Sequence, residues 1–205
     1  MLVIIDYGVG NLASIRNMLK KAGYDSVISS DEAVISSAEK LILPGVGAFD
    51  TCAGKLQQSG LITILNRKVL EEHTPVLGVC VGMQLLTEGS EEGVLPGLGW
   101  IKGRVIRFRQ DQLPAGTKIP HMGWTDVELS KPSRLFEGMY EEPRFYFVHS
   151  YHPDLADPGD ALVRVNYGYT FVAGMEKENI LGVQFHPEKS HKFGLKLLAN
   201  FVNHY

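Results

Sequence analysis

Two cysteines, Cys52 and Cys80, are all that the 205 residues contain. So few exclude a disulfide framework or a cysteine-built zinc cluster, and they suit a reducing compartment in which a thiol stays free to react. Charge of one sign is scarce as well. The 20 Lys and Arg against 23 Asp and Glu leave a net charge of −3, and without a basic block nucleic-acid binding has no electrostatic support. Long apolar runs are missing; the longest are a handful of residues, far short of a membrane span. The opening Met1-Leu2-Val3-Ile4-Ile5-Asp6 lacks the basic region and cleavage site of a secretory signal, so a cytoplasmic setting is expected. The histidines outside the strand exit described below (His73, His121, His149, His152, His191, His204) are not spaced as a metal site, and no metal is expected. What is present is ordinary globular composition, 44% hydrophobic and 21% charged. It is enough for one domain over residues 1–205.

The order of patterns gives the fold class. Residues 2–6 form a continuous apolar run that ends at Asp6, as in a strand covered on both faces. A turn at Gly8-Val9-Gly10-Asn11 leads to Leu12, Ile15, Leu19 and Ala22 at helical spacing, closed by Gly23. Val27-Ile28, Leu41-Ile42-Leu43 and Val76 to Val79 read as further strands, with two helical stretches between the last two. In the second of these, Leu61, Ile64, Leu65, Lys68 and Val69 share a face. Strands alternating with helices predict an α/β fold with a parallel sheet and function at the strands' C-terminal ends. After about residue 90 the pattern changes. Arg104 to Arg109, Phe145 to Val148, Leu162 to Val165, Phe171 to Ala173 and Ile180 to Phe185 read as strands, and the last helix aligns Leu195, Leu198, Val202 and Tyr205.

Four stretches could carry chemistry. Gly78-Val79-Cys80-Val81-Gly82 ends an apolar strand and starts a helical pattern, the arrangement of a nucleophile elbow with cysteine as the nucleophile. On its own it fits a buried core cysteine between packing glycines equally well. Gln184-Phe185-His186-Pro187-Glu188 follows another strand, and Pro187 stiffens the exit. A base followed by a carboxylate is what a cysteine nucleophile needs, and with Cys80 present a triad is the better reading than a surface turn. Pro44-Gly45-Val46-Gly47 also lies past a strand end, where backbone N–H groups can face a developing oxyanion beside that of Val81. A fourth stretch, Gly8 to Ala13, matches the dinucleotide fingerprint G-x-G-x-x-A, with Asp25 and Asp31 near the distance of a ribose-binding acid. A plain β–α turn explains it as well. Cys52 falls on a predicted helix with no base beside it, so Cys52→Ser is expected to be nearly silent.

The elbow and the His186–Glu188 exit together resemble class I (triad) glutamine amidotransferases. Within that class, Asp6 to Asn11, Pro44 to Gly47, Met83, Pro120-His121-Met122-Gly123-Trp124 and Tyr146-Phe147-Val148-His149-Ser150-Tyr151 resemble the glutaminase subunits of imidazole glycerol phosphate synthase. The resemblance runs from the first strand to the last helix. It implies the flavodoxin-like three-layer fold of the class: a mostly parallel central sheet between helices, with additional antiparallel strands in the C-terminal half. It also implies Cys80 as nucleophile, His186 as general base and acid, and Glu188 as the group that orients His186. The Val81 N–H and the Val46–Gly47 peptide would form the oxyanion hole. Gly47, Gln84, Glu92, His149, Ser150 and Tyr151 would hold L-glutamine, while Trp124, Tyr146 and Lys189 would face a partner. No cofactor is implied. The implied partner is a cyclase subunit with a β/α barrel, HisF, in a heterodimer that uses the released ammonia in histidine biosynthesis.

One residue departs from that pattern: Thr125 stands where the family usually has asparagine after Met-Gly-Trp. A glutaminase serving an amino-sugar amidotransferase of surface polysaccharide synthesis is therefore a second expectation. A dinucleotide-binding oxidoreductase and a non-catalytic scaffold are more distant ones.

Overall fold

The computed structural model describes residues 1–205. In chain order the elements are β1 (Leu2–Ile5), α1 (Leu12–Lys21), β2 (Val27–Ser29), α2 (Glu32–Ser36), β3 (Lys40–Gly45), α3 (Phe49–Gln58) and α4 (Ile62–Asn66), which runs on into a π-helical turn at Arg67–Glu71. Next come β4 (Val76–Cys80), α5 (Val81–Leu85), β5 (Gly103–Arg107), β6 (His121–Asp126), β7 (Glu128–Leu129), β8 (Arg144–His149) and β9 (Tyr151–Leu155). The chain ends with β10 (Ala161–Asn166), β11 (Thr170–Lys177), β12 (Ile180–Val183) and α6 (His191–His204).

An eight-stranded sheet in the order β2-β1-β3-β4-β12-β11-β10-β7 forms the centre. Strands β2, β1, β3, β4 and β12 run parallel, and β11, β10 and β7 continue antiparallel beyond them. The sequence expectation of a parallel sheet with an antiparallel extension is met. The parallel strands β1, β4 and β12 are apolar because both faces are covered: every one of their residues is buried. Two antiparallel ribbons, β5–β9 and β6–β8, stand apart from this sheet.

Some elements differ from the sequence reading. Strand β12 stops at Val183, two residues before Phe185, although the Gln184 N–H still bonds the Ala173 carbonyl at 2.9 Å. Strand β5 stops at Arg107, before Arg109, although the Phe108 N–H still bonds the Ser150 carbonyl at 3.1 Å. Helix α2 and strands β6, β7 and β9 carry no strong apolar period, and their partners are far away in the chain. Asp31 caps α2, its carboxylate accepting the Ala33 and Val34 N–H groups at 2.7 and 3.4 Å.

The register sets the functional edge. Gly45 on β3 lies opposite Cys80 on β4, and Val79 lies opposite Val183 on β12. Three chain segments therefore leave the sheet side by side. Contact here is too close for side chains. A Cβ on Gly45 would lie 2.5 Å from the Gly82 nitrogen, and one on Gly82 would overlap the Leu43 carbonyl oxygen. The helix that follows Cys80 thus rests directly on the backbone of β3. Replacing Gly82 with alanine forces these backbones apart and should cost at least about 1–3 kcal/mol of stability. A urea midpoint unchanged from wild type would show that the approach is not a constraint.

Candidate active site

Cys80 sits where β4 becomes α5, at φ 55° and ψ −116°. A non-glycine residue in that region costs of order 1–3 kcal/mol and persists only where surroundings impose it. Here the glycine-lined contact between α5 and β3 imposes it. The turn leaves Cys80 only 5% exposed, at the edge of a cavity of about 470 Å³. The first-turn N–H of Val81, with no intrahelical acceptor, adjoins the sulfur.

His186 and Glu188 reach the cavity from the exit of β12. The His186 N–H bonds the Tyr146 carbonyl at 2.9 Å, and the Ser190 hydroxyl donates to the His186 carbonyl at 2.7 Å. The backbone is thereby tied on both sides. His186 Nδ1 lies 2.8 Å from Glu188 Oε1, with both side chains almost fully buried. Nε2, the other ring nitrogen, has no hydrogen-bond partner in the chain. It is on the side of Cys80, whose sulfur acts on the ring. Burial works against the charged imidazole, but Cys80 and Glu188 outweigh it and the His186 pKa is pushed up to about 10. Burial likewise opposes the Glu188 carboxylate, yet the histidine and a hydrogen bond from Asn11 hold its pKa below the usual value.

Asn11 is a site residue that the sequence reading did not single out. Its Nδ2 donates to Glu188 Oε1 at 3.1 Å, across 177 positions of chain. The turn that resembles a dinucleotide fingerprint therefore delivers a side chain to the triad carboxylate. Asp31, one of its two expected ribose acids, is engaged as a helix cap. Gln184 was also missed. Fully buried, it accepts from Gln84 Nε2 at 3.0 Å and points its own Nε2 at the Cys80 sulfur, 3.9 Å away.

The Pro44–Gly47 segment borders the cavity through Val46 and Gly47. Gly47 has φ 91°, a value that favours glycine. The N–H groups of Val46 and Gly47 bond no other group of the chain. Their neighbours are fixed: the Tyr7 hydroxyl donates to the Pro44 carbonyl at 2.5 Å, and the Cys52 thiol donates to the Val46 carbonyl at 3.3 Å. Cys52 is therefore not an idle core cysteine; burial raises its pKa and keeps it a neutral donor. Glu92 lines the cavity and accepts the Phe49 N–H at 2.8 Å. Asp50 returns the contact by accepting the Val94 and Leu95 N–H groups.

Of the expected glutamine contacts, Gly47, Gln84, Glu92, His149, Ser150 and Tyr151 all line this one cavity, together with Lys189. The expected partner-facing residues form an aromatic patch beside it, and Lys189 belongs to both. Trp124 and Tyr146 are cross-strand neighbours with ring centroids 6.4 Å apart, and Lys189 Nζ lies 5.7 Å above the Tyr146 ring. Trp124 is 43% exposed and stacks on His191. No three His, Cys, Asp or Glu side chains converge as metal ligands, and no helix is long and apolar enough to cross a membrane.

A cysteine on a strained strand-to-helix turn, a buried histidine and carboxylate behind it, and free backbone donors beside it are the parts of a thiol amidohydrolase. Comparison with known proteins agrees, since residues 3–205 match the family described as glutamine amidotransferase class-I. The chain belongs to that family. Within it, the chain is 52% identical over 202 residues to imidazole glycerol phosphate synthase subunit HisH 2 of Methanococcus maripaludis, covering 98% of both chains. It is 50% identical to subunit HisH 2 of Pseudomonas aeruginosa and 46% identical to subunit HisH of Bdellovibrio bacteriovorus, again over 98% of each chain. Among solved structures, a glutamine amidotransferase superposes with a TM-score of 0.70 at 21% identity, covering 98% of this chain and 96% of its own. Another, from Thermotoga maritima, gives 0.59 at 16% identity, with 91% and 75% covered. These two likenesses speak for the fold.

Two measurements test the site. Followed by NMR, His186 should keep its proton through neutral pH and lose it toward about 10. In Cys80→Ser, which removes the sulfur that raises it, the same ring should titrate lower. An unshifted value would mean that the sulfur does not face it. For Cys52, serine retains a donor to the Val46 carbonyl and alanine removes it. A hydrogen bond of about 1 kcal/mol predicts a several-fold loss of glutaminase rate in Cys52→Ala and little change in Cys52→Ser. Equal rates in the two variants would assign the thiol to packing alone.

Proposed function

We propose that residues 1–205 act as one glutaminase unit, which hydrolyses L-glutamine at Cys80 and hands the ammonia to a synthase subunit. The observation that carries this reading is the line Asn11–Glu188–His186, which ends at Cys80 on the wall of the cavity. The sulfur reacts as a thiolate once its proton is on His186. The sulfur attacks the side-chain amide carbon of glutamine, and the oxygen that becomes negative is met by the Val81 N–H and the Val46–Gly47 peptide. His186 gives its proton to the departing nitrogen, which leaves as ammonia, and a glutamyl thioester remains. Water then loses a proton to the same ring and attacks the thioester, so glutamate departs and the sulfur returns to its starting state. Glu188 and Asn11 keep the imidazole in one orientation through both halves. Gln84, Glu92, His149, Ser150 and Tyr151 provide the walls that distinguish glutamine.

The relatives named as subunits of imidazole glycerol phosphate synthase support a partner of the cyclase type, the β/α-barrel HisF, and a heterodimer making imidazole glycerol phosphate and AICAR for histidine. Trp124, Tyr146 and Lys189, half-buried or exposed beside the cavity mouth, are the surface we assign to it. A second reading is a glutaminase for an amino-sugar amidotransferase. Thr125, which stands where the family usually has asparagine, favours it. Either setting is consistent with a cytoplasmic protein.

The purified chain alone should hydrolyse glutamine poorly and become active when the partner and its acceptor substrate are added. Removing one oxyanion donor typically costs about 10²–10³ in rate, so a Val46–Gly47 segment that is misaligned without the partner is enough to silence it. High steady-state turnover by the chain alone would overturn this. In the complex, Cys80→Ser should abolish synthesis from glutamine and spare synthesis from added ammonia. The synthase that copurifies, a histidine-pathway cyclase or an amino-sugar enzyme, decides between the two acceptors.

A further inference from the structure

Outside the triad, the largest group of buried titratable side chains lies under the β6–β8 ribbon. The two strands pair so that His121 faces His149 and Trp124 faces Tyr146. Alternation puts Met122 and Trp124 on the outer face, while His121, Phe147 and His149 point inward. His121 is 1% and His149 7% exposed. His121 Nδ1 lies 2.9 Å from His149 Nε2, His121 Nε2 lies 2.8 Å from the Thr125 hydroxyl, and His149 Nδ1 lies 2.7 Å from the Tyr151 carbonyl oxygen.

These contacts permit one hydrogen-bond polarity. A carbonyl oxygen only accepts, so His149 carries its proton on Nδ1. Burial holds both rings neutral, pushing His121 down to about 4 and His149 well below its ordinary value. His149 Nε2 is therefore an acceptor, and His121 must donate to it from Nδ1. His121 Nε2 is then an acceptor in turn, and only the Thr125 hydroxyl is there to donate to it. The line runs one way: Thr125 O–H to His121, His121 to His149, and His149 to the Tyr151 carbonyl. Beside that carbonyl, the Ser150 carbonyl is fixed by the Phe108 N–H at 3.1 Å. With both carbonyls drawn inward, the Ser150 N–H is left without a partner in the chain, on a segment that lines the cavity.

We propose that Thr125 is a positioning residue for substrate: through two histidines of fixed tautomer it holds the Ser150–Tyr151 segment in the orientation that binds glutamine. The role rests on the glutaminase reading above, in which that segment is a substrate wall. Thr125 itself does not line the cavity, and its effect is exerted only through the imidazoles.

The test uses the full chain in complex with the synthase subunit that copurifies with it, and a glutamine analogue that alkylates Cys80, 6-diazo-5-oxo-L-norleucine. In Thr125→Val the concentration for half-maximal alkylation should rise about tenfold, as expected for a lost hydrogen bond in a buried line. The limiting rate should change by no more than about twofold, because the triad is untouched. Thr125→Ser keeps the hydroxyl and should restore half-saturation to the wild-type value. An unchanged half-saturation in the valine variant, or a serine variant as defective as valine, overturns the proposal. Nitrogen-15 NMR of the wild-type imidazoles gives a second reading that needs no substrate. Protons on Nδ1 of both His121 and His149 are expected, and a proton on Nε2 of either ring overturns it. If wild-type Cys80 is not alkylated at all, the glutaminase reading fails, while the NMR still judges the polarity of the line.

Discussion

The close approach of α5 to the backbone of β3 governs the rest of the site. Because Gly82 lies against the Leu43 carbonyl and Gly45 against the Gly82 nitrogen, the chain after β4 has no room to leave the sheet gradually. It must turn within one residue, and that residue is Cys80, held with positive φ. The strain at Cys80 is therefore set by packing of the central sheet, and the stability of the core maintains the geometry of the nucleophile. A thiol placed on a loop would have to find this orientation afresh in each encounter with substrate.

The same sheet edge gathers the other groups. Asn11 follows β1, Val46 and Gly47 follow β3, Cys80 ends β4, and Gln184, His186 and Glu188 follow β12. Parallel strands make this economical, since every C-terminal end points the same way and a short exit places a functional group. The β6–β8 and β5–β9 ribbons complete the cavity on its far side with His149, Ser150 and Tyr151.

What was legible in the sequence follows from how local each signal is. Cys80 could be read because the strand, the two glycines and the helix are contiguous, and His186 with Glu188 because a proline fixes their spacing. The parallel half of the sheet was readable from its continuous apolar runs. Asn11 was hidden because its partner Glu188 lies on the other side of the sheet sequence, and its motif is shared with ordinary β–α turns. Gln184 stood within a recognised motif, but its reach to the sulfur depends on the register of β12 against β4. Cys52 looked inert because the carbonyl it meets, that of Val46, lies just outside its own helix. Strand β6 was not visible as a strand at all, since its polar His121 and Thr125 occupy the inward positions where apolar residues are expected.

The Glu92–Phe49 and Asp50–Val94 contacts have a mechanical consequence for the loop they flank. With the Tyr7 hydroxyl on the Pro44 carbonyl at the other end, the span from Gly45 to Ala48 is anchored on both sides. Such a span cannot swing away as a lid does. It can only exchange one peptide orientation for another in place, with little change in chain entropy or exposed surface. The cavity therefore responds as a toggle with few settings rather than as a door with a continuous range of openings.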